Sequence, residues 1–164
     1  MCVCVCVCIY SLFCRTGRTG AKTNVEKGSG TNILCLVLAP EFDNFAPMLS
    51  SHLVGARYLT RSLKRYFTVY CAVCRAPKST TIMIPGSLTC PAGWTTQYSG
   101  HLTAEYKAYG ATEYVCMEEP TDSGPESNSS PHTAFLFVVV YRCGQLPCPP
   151  YREGKVVTCV VCSK

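Results

Sequence analysis

The chain has 164 residues, 48% of them hydrophobic and 15% charged, with 14 cysteines and a formal net charge of +5. That length buries a core as one domain or two small ones, and cysteine at this density in a weakly charged chain marks a disulfide scaffold of an oxidising compartment. The positive charge is spread out, without a long basic run or interleaved aromatic residues, which argues against a nucleic-acid partner.

Residues 1–14 begin with Cys2, Cys4, Cys6 and Cys8 alternating with valine, as an uninterrupted TG dinucleotide tract would encode. The segment is apolar enough to resemble the hydrophobic stretch of a signal peptide, but it lacks a basic start and an obvious small-residue cleavage site. We read it as a low-complexity tract, either signal-like or an artefact of a truncated 5′ end. Over residues 57–67, Tyr58, Leu59, Ser62, Leu63, Tyr66 and Phe67 recur at helical spacing with Arg57, Arg61, Lys64 and Arg65 largely opposite, which predicts a short basic helix with a solvated face.

Extended structure is expected elsewhere, at residues 80–84, at the β-branched and aromatic run 135–141, and at residues 155–162. Trp94, Tyr98, Tyr106, Tyr109 and Tyr114 cluster ahead of the last two strands. Such residues form core and rim in a small domain, and where exposed they anchor ligands; Trp94, Tyr98, Tyr106 and Tyr109 are the candidate ligand surface. Residues 118–132 are rich in Pro, Ser, Gly and acid and read as a solvated loop, its carboxylates solubilising rather than catalytic. That loop holds the N-glycosylation sequon Asn128-Ser129-Ser130. No run approaches the ~18 apolar residues of a spanning helix, so no membrane span is expected.

An internal repeat organises the chain. Gly28-Ser29-Gly30-Thr31-Asn32-Ile33-Leu34-Cys35-Leu36 matches Gly110-Ala111-Thr112-Glu113-Tyr114-Val115-Cys116-Met117, and Cys71-Ala72-Val73-Cys74 matches Cys159-Val160-Val161-Cys162. The copies are residues 15–79 and 80–164. The second is complete, and the first lacks a counterpart of Thr89-Cys90-Pro91-Ala92-Gly93-Trp94.

Cys-x-x-Cys serves redox dithiols, zinc sites or disulfides. Neither pair precedes a helix that would lower a thiol pKa, and the two pairs lie too far apart for a zinc ribbon. Disulfides remain. Residues i and i+3 of a strand are roughly 10 Å apart on opposite faces, beyond the ~7 Å a bridge spans, so Cys159 and Cys162 each need a distant partner. Cys143 and Cys148, which the first copy lacks, form a pair of their own. Cys90 and Cys116 are then the partners of Cys159 and Cys162, in either order. In the first copy Cys35, Cys71 and Cys74 leave one thiol over unless Cys14 replaces the missing opening cysteine.

The segments Tyr70-Cys71-Ala72-Val73-Cys74-Arg75, Ile82-Met83-Ile84-Pro85-Gly86, Thr89-Cys90-Pro91-Ala92-Gly93-Trp94, Gln97-Tyr98-Ser99-Gly100, Glu113-Tyr114-Val115-Cys116, Cys143-Gly144-Gln145-Leu146-Pro147-Cys148-Pro149-Pro150-Tyr151 and Thr158-Cys159-Val160-Val161-Cys162 resemble the cysteine-rich globular region of short-chain collagen C-four-like proteins. The likeness is closest over residues 69–164 and weaker over 28–68. It implies a secreted, non-catalytic extracellular module, although this chain has no collagen triplets. The sequence therefore predicts a mainly β, small disulfide-rich fold of two related copies, the first incomplete. The expected function is a matrix or adhesion module that binds an extracellular protein or, as the alternative, a glycan in lectin-like fashion. No catalytic residue, cofactor or metal is expected.

Overall fold

The computed structural model describes residues 3–4, 14–45, 47–59, 66–75, 78–118 and 132–164. The described residues form strands and turns, with no helix among them: β1 (Val3–Cys4), β2 (Cys14–Ala21), β3 (Leu34–Val37), β4 (Val54–Leu59), β5 (Tyr66–Thr68), β6 (Tyr70–Cys74), β7 (Thr81–Pro85), β8 (Thr95–Ala104), β9 (Val115–Met117), β10 (Ala134–Val138) and β11 (Thr158–Ser163). The chain is thus the mainly β, disulfide-rich protein its composition predicts. The strands make one curled 11-stranded sheet in the order β1-β6-β2-β4-β10-β8-β11-β7, with β3 beside β2, β5 beside β4 and β9 beside β8. Only the central β4–β10 pair is parallel.

Burial explains the strand patterns. β11 lies between β7 and β8 and is buried along nearly its whole length, so its sequence is an unbroken apolar run rather than an alternation. β10 alternates instead: Ala134 and Leu136 enter the core while Phe135 and Phe137 point to the other face, half-buried. The strand expected at 135–141 is β10, and Val140 extends it only as an isolated bridge to Val156.

The helix expected over 57–67 does not form in its described part. Arg57, Tyr58 and Leu59 belong to β4, where they pair with Thr68, Phe67 and Tyr66 of β5; residues 60–65 lie outside the described residues. Period two wins over the helical spacing because Ala56 and Tyr58 pack with Ala134 and Leu136 in one buried cluster, and β4 finds ladder partners in β2, β5 and β10. Arg57, expected on a solvated face, is buried as a result.

The two halves repeat one set of contacts. The order β3-β2-β6-β1 in the first matches β9-β8-β11-β7 in the second. Gly17 lies opposite Cys71 as Gly100 lies opposite Cys159, and Thr19 lies opposite Cys35 as Leu102 lies opposite Cys116. The Thr19 amide donates to the Val69 carbonyl and the Val69 amide to that of Ala56; Leu102, Val157 and Val139 repeat both bonds. Within the N-terminal tract, Val3 and Cys4 pair with β6 as Met83 and Ile84 pair with β11, and Cys14 opens β2.

The cores are unequal. One cluster, Tyr98, Leu102, Cys116, Val157, Cys159 and Val161, comes entirely from the second half. The other joins Ala21, Ile33, Ala56, Tyr58 and Val69 of the first half to Met117, Ala134 and Leu136 of the second. Where the second half uses Leu102, the first has Thr19, which is 1% exposed with its Oγ1 unpartnered. A buried hydroxyl without a partner costs stability, and an isosteric methyl does not. Thr19→Val is therefore expected to stabilise the fold by about 1 kcal/mol, measured as a higher denaturant midpoint at unchanged slope. A lowered midpoint would show that the hydroxyl has a partner in solution.

Candidate functional site

The scaffold is set by its bridges. Cys35 joins Cys71, Cys90 joins Cys162, Cys116 joins Cys159 and Cys143 joins Cys148, with Cα separations of 5.7 to 5.9 Å. Of the two orders left open for Cys90 and Cys116, this is the one adopted, and Cys159 and Cys162 are not joined to each other. Cys74 is also disulfide-bonded, and the β2–β6 ladder sets the backbone of Cys14 across from it. All four Cys-x-x-Cys sulfurs are thereby disulfide-bonded. Among the described residues no three metal-ligating side chains gather elsewhere.

Two of these bridges cross a strand. β9 and β11 flank β8, and in a flat sheet strands two apart are separated by roughly 9.5 Å, more than a disulfide spans. Curling brings Cys116 and Cys159 together across β8 at Gly100, the register partner of Cys159. A Cβ at Gly100 would strike the Met117 carbonyl oxygen. Gly17 does the same for Cys35–Cys71: a Cβ there would strike the Leu36 carbonyl oxygen and come within 3.0 Å of Cys35 Sγ. Here the absent side chain serves close approach rather than backbone freedom.

On the outer face of β10 the chain builds an aromatic cluster. Tyr106 and Tyr109, in the turn after β8, close over Phe137 and Phe135, and Tyr66 of β5 packs on Phe135. Ring centroids are 5.6 Å apart for Tyr106–Tyr109, 5.3 Å for Tyr106–Phe137, 6.3 Å for Tyr109–Phe135, 5.8 Å for Phe135–Phe137 and 5.3 Å for Tyr66–Phe135. Tyr106 and Tyr109 stay 41% and 46% exposed, so the cluster is both packed and accessible.

The other two residues of the proposed ligand surface are placed differently. Tyr98 is 7% exposed, packs in the second-half core, and its hydroxyl donates to the Cys116 carbonyl at 3.1 Å. It is a core residue, because period two along β8 sends Tyr98 inward with Leu102. Trp94, partly exposed, precedes β8 with its amide donating to the Pro91 carbonyl, and among the described residues no ring contact joins it to the cluster. Asn128 lies outside the described residues. Sequence reasoning missed Phe135, Phe137 and Tyr66 as surface-building groups. The Phe-x-Phe spacing, offset by one from Ala134 and Leu136, was the available signal.

Glu105 holds the cluster's turn against β10. Its Oε1 accepts the Tyr106 amide at 2.8 Å and its Oε2 accepts the Phe135 amide at 3.0 Å. Burial pushes its carboxyl above the usual 4.5, more than the two amides and Lys22 pull it down. A raised folded-state pKa means the folded state holds that proton more tightly than the unfolded one. The associated stability is fully present below the usual carboxyl pKa and is lost as pH rises through the raised value. Relative to Glu105→Gln, the wild-type chain is expected to lose stability as pH increases across the mildly acidic range. A flat difference between the two would contradict the burial.

A second polar cluster escaped the sequence reading. His52 Nδ1 meets Glu26 Oε1 at 2.6 Å, Ser51 Oγ donates to Ser29 Oγ at 2.8 Å, and Ser29 Oγ donates to the His52 carbonyl at 2.9 Å. Ser29, between Gly28 and Gly30, has a φ of +80°, a strained conformation for serine. The arrangement resembles a Ser-His-acid site only in composition. The Ser29 proton goes to a backbone carbonyl rather than to the imidazole that would have to take it, so the cluster fastens two loops.

No protein-family model matches this chain, and no solved structure matches it at significance.

Proposed function

We propose that the chain is a secreted, non-catalytic, cysteine-rich matrix or adhesion module that acts by binding. The aromatic cluster carries the reading: accessible Tyr106 and Tyr109, backed by Phe135 and Phe137 and pinned by Glu105. Rigid amphipathic rings of this kind are the usual anchors of recognition surfaces. The disulfides belong to an oxidising environment such as the extracellular space, and the resemblance to short-chain collagen C-four-like proteins points the same way. The partner is an extracellular protein or a glycan.

The experiment is retention of the oxidised chain on immobilised extracellular-matrix extract. Tyr106→Ala/Tyr109→Ala is expected to weaken retention by about 10-fold or more. Equal retention of the two forms removes the cluster from the reading. A lectin-like mode is favoured by the 41% and 46% exposure of Tyr106 and Tyr109, since a tyrosine carries both an apolar ring and a hydroxyl, the pair of features a sugar face uses. A glycan array separates the two modes, because the absence of any hit ends the lectin reading and leaves the protein-binding one.

A further inference from the structure

The most exposed apolar side chains lie in the first half, where β3 runs into the loop that leads to β4. Phe42, Phe45, Met48 and Leu49 are 80 to 100% exposed, and Val37 and Leu38 are more than half exposed. At about 150 Å² apiece, these six side chains, all within residues 37–49, together expose roughly 700 Å² of apolar area when summed one by one. A typical monomer's largest patch is about 300–600 Å², and each partner of a stable interface contributes about 800 Å².

We infer that this face is the contact between two copies of the chain. Three observations select a second copy. The area matches one side of a homodimer, whose interfaces are the most apolar class. β3 pairs only with β2 among the described residues, so it offers a sheet edge that can pair antiparallel with its own two-fold mate. Beside it, Arg15, Thr16, Val37, Leu38, Ala39 and Glu41 line an open cavity of about 620 Å³, large enough for a phenyl ring. Phe42 directly follows the cavity-lining Glu41, so an exposed ring and a cavity able to take it lie side by side on the same chain. A self-complementary patch of this kind closes as a two-fold dimer.

Sedimentation velocity of the intact, oxidised chain from about 1 to 100 μM tests the inference. The expected result is a concentration-dependent shift from the 17.9 kDa monomer to a species of twice that mass. Phe42→Glu/Phe45→Glu should weaken self-association about 100-fold or more with an unchanged disulfide map, since both positions are exposed. A monomer throughout the range overturns it, as does a variant that associates like the wild type. Adsorption of the monomer to phosphatidylcholine vesicles without dimerisation would overturn it in favour of a lipid surface. The inference does not depend on the binding role of Tyr106 and Tyr109, whose removal leaves self-association unchanged.

Discussion

Cys116→Ala/Cys159→Ala should destabilise the folded chain by about 4 kcal/mol through loop closure alone, while Cys143→Ala/Cys148→Ala should cost about 2 kcal/mol or less. The first bridge closes a separation of 43 residues and the second one of 5, and the entropy withheld from the unfolded chain grows with the logarithm of that length. Burial widens the contrast. Cys116 and Cys159 are 2% and 0% exposed within the second-half core, whereas Cys143 and Cys148 lie on an exposed loop, where the Cys143 amide donates to Glu153 Oε2 at 2.6 Å and Arg142 pairs with Glu153 at 2.9 Å. Chemical unfolding of the two double variants measures the difference. Equal losses would mean that neither loop length nor burial sets the bridge over β8 apart from the loop bridge.

Gly100→Ala is expected to be as damaging, although it adds one methyl group. The new Cβ meets the backbone of Met117, not a side chain that could rotate away. β9 must then lift from β8, which disturbs the Leu102–Cys116 register, the Tyr98 hydroxyl bond to Cys116 and the Cys116–Cys159 bridge together. A loss of about 3 kcal/mol or more is expected, the range of severe core defects, together with slower and less uniform disulfide formation on oxidative refolding. Gly55→Ala is the control. A Cβ at Gly55 meets nothing within 4 Å, and its substitution should change stability by about 0.5 kcal/mol or less. If Gly100→Ala proved as mild as the control, the close crossing over β8 would be wrong.

These two effects show what was legible in the sequence. The fold class followed from cysteine density and from apolar runs such as 155–162, since β propensity and burial agree there. The pairing of Cys143 with Cys148, and the need for Cys159 and Cys162 to find distant partners, followed from the repeat and from strand geometry. The choice between Cys90 and Cys116 could not, because it depends on which face of β11 each thiol occupies and on how far the sheet curls. Gly17 and Gly100 carried no local mark, since a crossing bridge is a property of three strands at once. The expected helix is absent from its described part for the same kind of reason: the spacing of Tyr58, Leu59, Tyr66 and Phe67 is helical along the chain, but the partners of β4 are β2, β5 and β10, which sequence periodicity does not see. The aromatic cluster was half legible. Tyr106 and Tyr109 stand out by type, Tyr98 falls in the same sequence group although its alternation with Leu102 turns it inward, and Phe135 and Phe137 read as strand interior.

The halves also differ in how far each supports itself. The second has its own cluster and three bridges within it, while the first relies on Met117, Ala134 and Leu136 to complete its core and on the Glu113 carboxylate, which accepts the Ile33 amide at 2.6 Å. Glu113 also donates its own amide to the Thr31 carbonyl, so the matching segments of the two halves clasp each other. The first half is built onto the second.

The most direct test of the account is peptide mapping by mass spectrometry, under non-reducing conditions, of the chain produced through an oxidising secretory pathway. The account predicts peptides linking Cys35 to Cys71, Cys90 to Cys162, Cys116 to Cys159 and Cys143 to Cys148. A peptide linking Cys159 to Cys162, or free thiols at those positions with stoichiometric zinc, would contradict it.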